Sequence, residues 1–394
     1  MLTYKRKLKL TTIQEDRISS WMGACRAVYN MGLEIKIATY KCNKSSISKF
    51  ALMKQITDIR DISWINDVPR SSLDKSIEKL DLAYKNFFRT YKSGGGFPKF
   101  KSKRNYNSIV ITNDNFKQKT QIITVNKNTI KLPKIGKINF FKDKSSIIGR
   151  IKTATIIKEP TGFFICITCD EVSKSISNTN ENQVIGIDMG VANFYVDSNG
   201  NLIENPRHFK KYEVKLRIES RNLSRKKKFS TRWKKQAKKL ALLHHKIANI
   251  RKDFLHKEST KLAKKYHTVY LEDLNIKNMS KNKNLSKNIL DCGWGIFRTM
   301  LEYKTNVIRV DPKYTSQTCN ECGVKDAKSR LSQSEFVCTS CGHISHADLN
   351  AAKNIMSKGI ALNRKREPLG CALVEEPSIG MSVPYFNANL QQKH

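Results

Sequence analysis

Two closely spaced cysteine pairs near the carboxyl end constrain the fold of this chain most strongly. Each pair has the form Cys-x-x-Cys, and fifteen residues separate the first pair from the second. The four residues are Cys319, Cys322, Cys338 and Cys341. This spacing is typical of a structural zinc site, whose closed shell of four thiolates leaves no position for a substrate. His343 and His346 are alternative ligands, although four cysteines already complete a tetrahedron.

The charge of the chain is the second constraint. Of 394 residues, 73 are Lys or Arg and 34 are Asp or Glu, which gives a formal net charge of +39. An AT-rich genome explains a preference for Lys over Arg, but it does not explain a twofold excess of basic residues. Such an excess indicates a polyanionic partner, most often nucleic acid. The length predicts two or three domains.

The chain has no feature that predicts a membrane or an oxidising compartment. Its first residues lack an apolar stretch of signal-peptide length, and no run of about 18 apolar residues occurs. We therefore expect a cytoplasmic protein without a membrane partner, whose thiols are reduced or bound to metal. Cys166 and Cys169 form a third pair inside an apolar segment that reads as a strand, where they point to opposite faces and serve core packing.

The first half of the chain reads as strands interrupted by helices. Residues 1–10 alternate apolar and basic side chains, and Thr11 is a predicted N-cap. Helices are expected to continue to residue 92; the clearest starts at Ser71, with an apolar stripe at steps of three and four. Strands are then predicted at 108–112, 121–125, 129–132, 151–158 and 163–169. The helical part is either a plain bundle or the lining of a nucleic-acid channel.

The second half alternates strands and helices. Strands are predicted at 184–188, 193–196, 268–272 and 307–310, with helices at 293–303 and from Asp348 onward. Residues 206–265 hold 22 basic and 4 acidic side chains, and they keep helical spacing. We predict two long, packed helices here. Their basic face is either merely solvated or, as the size of the excess favours, in contact with phosphates.

Three carboxylates are candidates for a catalytic metal site. Asp188 and Glu272 each end an apolar strand, and Asp348 lies at the start of the last helix. Carboxylates that are buried in such positions are usually paired or bound to metal. Three of them converging from separate elements would suit two divalent cations, Mg²⁺ or Mn²⁺, in phosphodiester hydrolysis.

Each of these residues also has a simpler explanation. Asp188 is equally compatible with a turn before Gly190, Asp348 with a helix N-cap, and Glu272 with an exposed strand end. Four other aspartates lie near predicted strand ends and compete for the same role. They are Asp170, Asp197, Asp273 and Asp311.

Taken together, the motifs resemble one family closely: the OrfB/TnpB proteins of bacterial insertion sequences, compact RNA-guided nucleases related to type V CRISPR effectors. The strongest matches are Gly-Ile-Asp-Met-Gly at 186–190, Arg-Lys-Asp-Phe-Leu-His at 251–256, Leu-Glu-Asp-Leu-Asn-Ile-Lys at 271–277, Gly-Trp-Gly at 293–295, the segment 310–319, Cys-Thr-Ser-Cys-Gly at 338–342 and His-Ala-Asp-Leu-Asn-Ala-Ala at 346–352. Segments 23–30, 98–102 and 132–136 are similar too. The resemblance spans nearly the whole chain.

This resemblance implies an α+β multidomain fold. A wedge-type β-barrel would comprise residues 1–12 and 97–175, interrupted by a helical recognition lobe at 13–96. A linker at 176–183 would lead to a RuvC-like, RNase H-type nuclease domain at 184–360, with a zinc ribbon inserted at 316–344. A tail at 361–394 shows no pattern of regular structure. The metal-binding carboxylates would be Asp188, Glu272 and Asp348.

The same resemblance implies a function. The protein would be a monomeric, magnesium-dependent DNA endonuclease that holds a guide RNA from the transposon end. It would cut double-stranded DNA at a guide-matched target beside a short motif, with base pairing reading the sequence. Alternatives are an RNA-bound regulator that does not cut and a transposition accessory protein, although no Tyr or Ser recombinase pattern stands out.

One segment departs from the family pattern. Only Thr305 and Asn306 separate the helix that ends near Lys304 from the strand at 307–310, where family members usually have a longer connection. A helix needs a connection before a returning strand. Either the helix ends early, or a deletion damages the nuclease domain.

Overall fold

The computed structural model describes residues 2–59, 62–113, 122–141, 146–170, 183–282 and 284–366. It is a mixed α/β structure with two compact units, Met1–Ser177 with Glu213–Ala248 and Asn178–Tyr212 with Asn249–His394. The predicted linker, apart from residue 183, and the predicted tail from residue 367 onward lie outside the described residues.

The first unit contains a seven-stranded antiparallel sheet. Its strands are β1 (Leu2–Lys9), β2 (Ser108–Thr112), β3 (Thr124–Asn126), β4 (Thr129–Leu132), β5 (Gly136–Phe140), β6 (Ile151–Glu159) and β7 (Gly162–Cys169). The spatial order is β2-β6-β7-β1-β5-β4-β3, so the amino-terminal strand lies at the centre. Strand β7 alternates fully buried with partly buried residues, and Cys169 is buried while Cys166 is half-buried. The predicted core role therefore holds for Cys169, which belongs to the hydrophobic core, whereas Cys166 lies on the opposite, half-buried face of the strand.

Four helices separate β1 from β2 along the chain: α1 (Thr12–Asn43), α2 (Lys49–Asp58), α3 (Ser63–Asn66) and α4 (Arg70–Thr90). A single 3-10 turn follows at Tyr91–Ser93. Thr11 caps α1 in a capping box with Gln14, which satisfies two backbone N–H groups at the helix start. Leu73, Ile77 and Leu80 form the buried stripe of α4, as their spacing predicts.

Two long helices, α5 (His208–Ser224) and α6 (Thr231–Lys265), form the basic segment. Glu219 of α5 accepts a hydrogen bond from Gln236 of α6 at 2.6 Å and pairs with Lys239 at 2.7 Å, so the two helices do pack together. His245 of α6 lies 3.8 Å from Glu159 at the end of β6. These contacts place the turn between the helices in the first unit.

The second unit is built on a five-stranded sheet. Its strands are β8 (Val184–Asp188), β9 (Asn193–Asp197), β10 (Leu202–Glu204), β11 (Thr268–Glu272) and β12 (Asn306–Val310). The order is β10-β9-β8-β11-β12. Strands β8, β11 and β12 run parallel, whereas β9 and β10 form an antiparallel meander beside β8. All five residues of β11 are buried, as expected for a central strand covered on both faces.

Helices α7 (Ile276–Met279), α8 (Ser286–Cys292) and α9 (Trp294–Glu302) lead from β11 to β12. Helix α9 ends early, and β12 still pairs with β11 from Asn306 to Val310. Thr305 donates hydrogen bonds to the carbonyls of Tyr266 and His267, which fixes the short connection. The first of the two alternatives for this segment is therefore the one observed.

The chain finishes with a small hairpin and a long helix. The hairpin pairs β13 (Glu335–Val337) with β14 (Ile344–His346), after a 3-10 turn at Ala327–Ser329, and α10 (Ala347–Arg366) follows. Most predicted elements are found within a residue or two of their expected bounds. Strands β5, β10, β13 and β14 and the short helices α7 and α8 were not predicted. Among the described residues, no helix combines the length and apolarity needed to cross a membrane.

Candidate active site

Asp188 and Glu272 lie side by side at one edge of the second sheet. Strands β8 and β11 are parallel neighbours, and their register pairs Ile187 with Leu271. The next residue of each strand is a candidate carboxylate, so both lie where the parallel strands end. Asp188 is half-buried, and Glu272 is 9% exposed. Glu272 is therefore not the exposed strand end that the sequence also allowed.

Helix α10 brings Asp348 to the same edge. The helix packs on β8, where Gly186 has no side chain: a Cβ atom there would lie 2.3 Å from the carbonyl oxygen of Ala352. Gly359 likewise accommodates the ring of Tyr270 on β11. These two close approaches hold α10 against the sheet. Asp348 is the second residue of the helix, not its N-cap, and lies one turn before Ala352.

The three carboxylates line one cavity of about 270 Å³. Its other walls come from the loop after β8, the loop after β12 and the hairpin region. Its lining residues are Asp188, Met189, Gly190, Ala192, Asn193, Glu272, Pro312, Thr315, Ser316, Arg330, Gln333, Asp348 and Ala351. The fold thus brings together all three predicted residues from separate elements.

Burial and mutual repulsion set the electrostatics of this cavity. Loss of solvation, and then the negative charges of Glu272 and Asp348, raise the pKa of Asp188 to about 7. Burial also raises the pKa of Glu272, against the hydrogen bond from Thr315. Carboxylates that repel one another in a desolvated site are stabilised as anions by a bound cation. This donor set therefore fits a divalent metal that prefers oxygen ligands.

A hydrogen-bond network holds Glu272 in place. The hydroxyl of Thr315 donates to Oε1 of Glu272 at 2.5 Å. The carbonyl of Thr315 accepts a hydrogen bond from Asn354 of α10 at 2.9 Å, and Asn350, one turn earlier, donates to the carbonyl of Thr318 at 2.8 Å. Hydrogen bonds thus connect the loop after β12 both to helix α10 and to the carboxylate of Glu272.

Arg330 is the basic side chain of the cavity lining. Its Nη2 lies 3.5 Å from Oδ1 of Asp348. Its charge opposes the rise in the pKa of Asp188 and of Glu272. One guanidinium against three carboxylates leaves the lining with an excess of negative charge. The sequence singled out neither Arg330 nor Thr315. Thr315 lies in the family-like segment 310–319, which is a signal that could have found it, whereas Arg330 falls in no periodic pattern or recognised ligand spacing.

The four cysteines of the two Cys-x-x-Cys motifs form a cluster. Its first member, Cys319, directly follows Thr318 of this network in the sequence. The four Sγ atoms all lie within 4.8 Å of one another, with Cys319 and Cys341 at 3.8 Å and Cys322 and Cys338 at 3.6 Å. Zinc–sulfur bonds of about 2.3 Å in a tetrahedron give sulfur separations of roughly 3.8 Å, so the cluster fits zinc. Backbone N–H groups of Cys341 and then Ser340 lower the pKa of Cys338 to about 6. The pKa of the neighbouring Cys341 is raised to about 12: a backbone hydrogen bond of His343 lowers it, but the nearby thiols of Cys322 and Cys338 outweigh that effect. A bound cation would be needed to hold all four groups as thiolates.

The other candidate residues do not line the cavity. Asp170 pairs with Lys152, Asp273 with Arg298 and Arg309, and Asp197 accepts hydrogen bonds within its own turn. Asp311 accepts one from the backbone of Lys313. Neither His343 nor His346 belongs to the cysteine cluster; Nδ1 of His346 instead accepts a hydrogen bond from the backbone of Asp348.

Three family models match successive parts of the chain. They are a helix-turn-helix domain of OrfB proteins at residues 1–45, the OrfB "probable transposase" model at 167–283, and a "Cas12f1-like, TNB domain" at 294–355. The last range contains the cysteine cluster and Asp348. Residues 1–45 form one strand and one long helix in this structure.

Relatives match over almost the full length. The chain is 33% identical over 402 aligned residues to the putative RNA-guided DNA endonuclease InsQ of Escherichia coli K12, covering 95% of this chain and 97% of that protein. It is 29% identical to a putative RNA-guided DNA endonuclease of Streptomyces pristinaespiralis, over 91% of this chain and 89% of that one. Its fold is similar to a Cas12f1 protein solved with sgRNA and target DNA (TM-score 0.53, 15% identity, 88% and 83% coverage). The chain therefore belongs to the OrfB/TnpB family of insertion-sequence proteins.

Proposed function

We propose that this protein is a transposon-encoded, RNA-guided DNA endonuclease. The observation that carries the proposal is the convergence of Asp188, Glu272 and Asp348 on one cavity at the end of parallel strands. The strand order β10-β9-β8-β11-β12, with an antiparallel meander beside parallel strands, supports a RuvC-like, RNase H-type nuclease domain at 184–360. The zinc ribbon at 316–344 is inserted between β12 and α10.

In this proposal the carboxylates hold Mg²⁺ or Mn²⁺. Bound metal ions supply an activated water and stabilise the leaving oxygen of the phosphodiester. Thr315 keeps Glu272 in its ligand orientation through the hydrogen bond between them. Arg330 offers planar N–H donors that suit a phosphate oxygen, and it lines the cavity beside Asp348. The hydrolysis adds one water across one P–O bond.

The first unit has the features expected of the parts that hold nucleic acid. We assign its sheet, from residues 1–12 and 97–175, to a wedge-type barrel and residues 13–96 to a recognition lobe. The net charge of the whole chain, +39, suits binding of both a guide RNA and a DNA duplex, which we propose the protein does as a monomer. In this scheme base pairing with the guide RNA recognises the target sequence. The protein itself contacts the nucleic-acid backbone and recognises a short motif beside the target.

The alternative is a protein that binds RNA and DNA but does not cut. The three intact carboxylates favour the nuclease. Despite the short connection after α9, β12 pairs with β11 over all five of its residues, which is compatible with the nuclease.

The test is to purify the full chain with RNA expressed from its own transposon end and to sequence the RNA that co-purifies. We expect one defined RNA species, and a complex that cuts a matched plasmid in Mg²⁺ but not without it. Asp188→Ala should abolish cutting while the complex still binds the plasmid. Absence of a defined RNA would refute guided recognition, and full cutting by Asp188→Ala would refute the metal-site assignment.

A further inference from the structure

The turn between α5 and α6 carries an exposed pair of aromatic rings. The rings of Phe229 and Trp233 lie 5.8 Å apart, centre to centre. Phe229 is 64% exposed, whereas Trp233 is half-buried. The guanidinium of Arg104 lies 5.1 Å from the centre of the first ring and 5.0 Å from that of the second. We call Arg104, Phe229 and Trp233 the aromatic platform.

The backbone holds Phe229 in an unfavourable conformation. Its φ is +67°, in the left-handed region, which is strained for a bulky side chain. The next residue, Ser230, caps α6 by accepting a hydrogen bond from the backbone N–H of Trp233 at 3.1 Å. The turn is therefore fixed on both sides of Phe229, and its ring is directed outward.

A purely structural role explains this arrangement poorly. An apolar residue just before an N-cap commonly packs on the first turn of the helix and is buried there. Phe229 instead leaves most of its surface in water, so burial of its ring adds little to the stability of the fold. The guanidinium of Arg104 lies over one face of each ring and leaves Phe229 64% exposed.

The charge around the aromatic platform indicates which class of molecule it would bind. Between residues 221 and 239 there are ten basic side chains and no acidic one. Arg225, Lys227 and Lys228 precede Phe229 and are exposed, as is Arg232 after it. Exposed rings within a strongly basic surface are the combination that binds unpaired nucleotides, whose bases stack while their phosphates are neutralised. A paired base offers no free face for such stacking.

We propose that the aromatic platform stacks an unpaired base of a bound RNA, with the basic side chains of the same turn contacting the flanking phosphates. The choice of RNA over DNA rests on the proposed function, in which the protein holds its RNA before any DNA is met. The stacking itself requires only the platform and the surrounding charge.

The test measures binding of a labelled uridine oligomer of roughly ten nucleotides to the full chain freed of its own RNA. Phe229→Ala should weaken binding about 5- to 100-fold, the range expected for one stacked base. Phe229→Trp should retain binding. Tyr303→Ala is the matched control, because Tyr303 is also exposed (60%), lies 5.7 Å from Nζ of Lys304 and belongs neither to the first unit nor to the cavity lining. It should bind as the unmodified protein does.

An abasic oligomer of the same length separates stacking from charge. We expect the unmodified protein and Phe229→Ala to bind it equally, and the salt dependence of uridine-oligomer binding to be the same for both. Equal losses on abasic and uridine oligomers, a loss seen only with DNA oligomers, or no loss at all would overturn the proposal. The assay contains neither Mg²⁺ nor target DNA, so its outcome is independent of cleavage and separates this inference from the nuclease assignment.

Discussion

The hydroxyl of Thr315 donates a 2.5 Å hydrogen bond to Oε1 of Glu272, a carboxylate buried at the end of β11. The same threonine is fastened through its carbonyl to Asn354 of α10. One residue thus joins the loop that leads into the zinc ribbon to the carboxylate at the sheet edge. Small changes in this loop should therefore reach the metal site.

Thr315→Val tests this connection directly. It removes the donor while keeping the shape of the side chain, so Glu272 loses a group that lowers its pKa. We expect the Mg²⁺ concentration for half-maximal DNA cleavage to rise about 10- to 100-fold. Thr315→Ser keeps the hydroxyl and should stay near the original value. Equal behaviour of the two variants would show that the hydrogen bond does not support the site.

Gly186→Ala tests the packing that positions Asp348. The added Cβ would lie 2.3 Å from the carbonyl oxygen of Ala352 and 2.7 Å from Met356, and a helix backbone cannot yield there. We expect a loss of about 2 kcal/mol or more in the free energy of unfolding, measured by denaturant titration. Gly295→Ala is the control, since its Cβ would meet only Ile276, at 3.5 Å, and should change stability little.

Asp188 should make the magnesium-free protein less stable as the pH rises. Its pKa in the folded protein is about 7 against an ordinary 3.8. Between these values the unfolded chain binds fewer protons than the folded one, so its contribution to stability falls as the pH rises through this window. Asp188→Asn removes the ionisation, and its melting temperature should exceed that of the unmodified protein by an increasing margin from pH 4 to 7.

These melting curves are to be recorded without chelator, so that the cysteine cluster keeps its zinc. Added Mg²⁺ should raise the melting temperature of the unmodified protein at neutral pH and have little effect on Asp188→Asn. A pH-independent difference between the two proteins would contradict the account of the cavity as a site of repelling carboxylates.

Cys322→Ser should remove the zinc. The expected result is a loss of bound zinc, measured by elemental analysis of purified protein, together with faster proteolysis in the region 316–344. Cys42→Ser is the control, because Cys42 is exposed and lies outside the cluster. Zinc retained at full occupancy by Cys322→Ser, or absent from the unmodified protein, would contradict the assignment.

The sequence predicted the central strands β8 and β11 of the second sheet well because both are short apolar runs that end in a charged residue. Strands at 184–188 and 268–272 have the predicted bounds, and the spacing of the cysteines identified the cluster correctly. Strand β10 was missed because it has three residues, of which Leu202 and Glu204 are exposed and only Ile203 is partly buried. Strand β5 was also missed: its alternation of buried and exposed residues rests on only two apolar side chains, Ile138 and Phe140.

The convergence of the carboxylates was harder to predict. Asp188 and Asp197 each end an apolar strand, and only the register of the sheet shows that one faces the cavity and the other its own turn. Arg330 lies in the sequence between the two cysteine pairs and reaches the cavity through tertiary packing, for which a single sequence carries no signal. The family resemblance supplied the carboxylate positions that composition and spacing left open.

The most direct measurement compares Glu272→Gln with Asp273→Asn in cleavage of a guide-matched plasmid in Mg²⁺. These neighbours differ in one respect that matters: Glu272 is buried and lines the cavity, whereas Asp273 pairs with Arg298 and Arg309 at the surface. The account predicts that Glu272→Gln abolishes cleavage with target binding retained, and that Asp273→Asn cuts as the unmodified protein does. Cleavage that survives Glu272→Gln would contradict it.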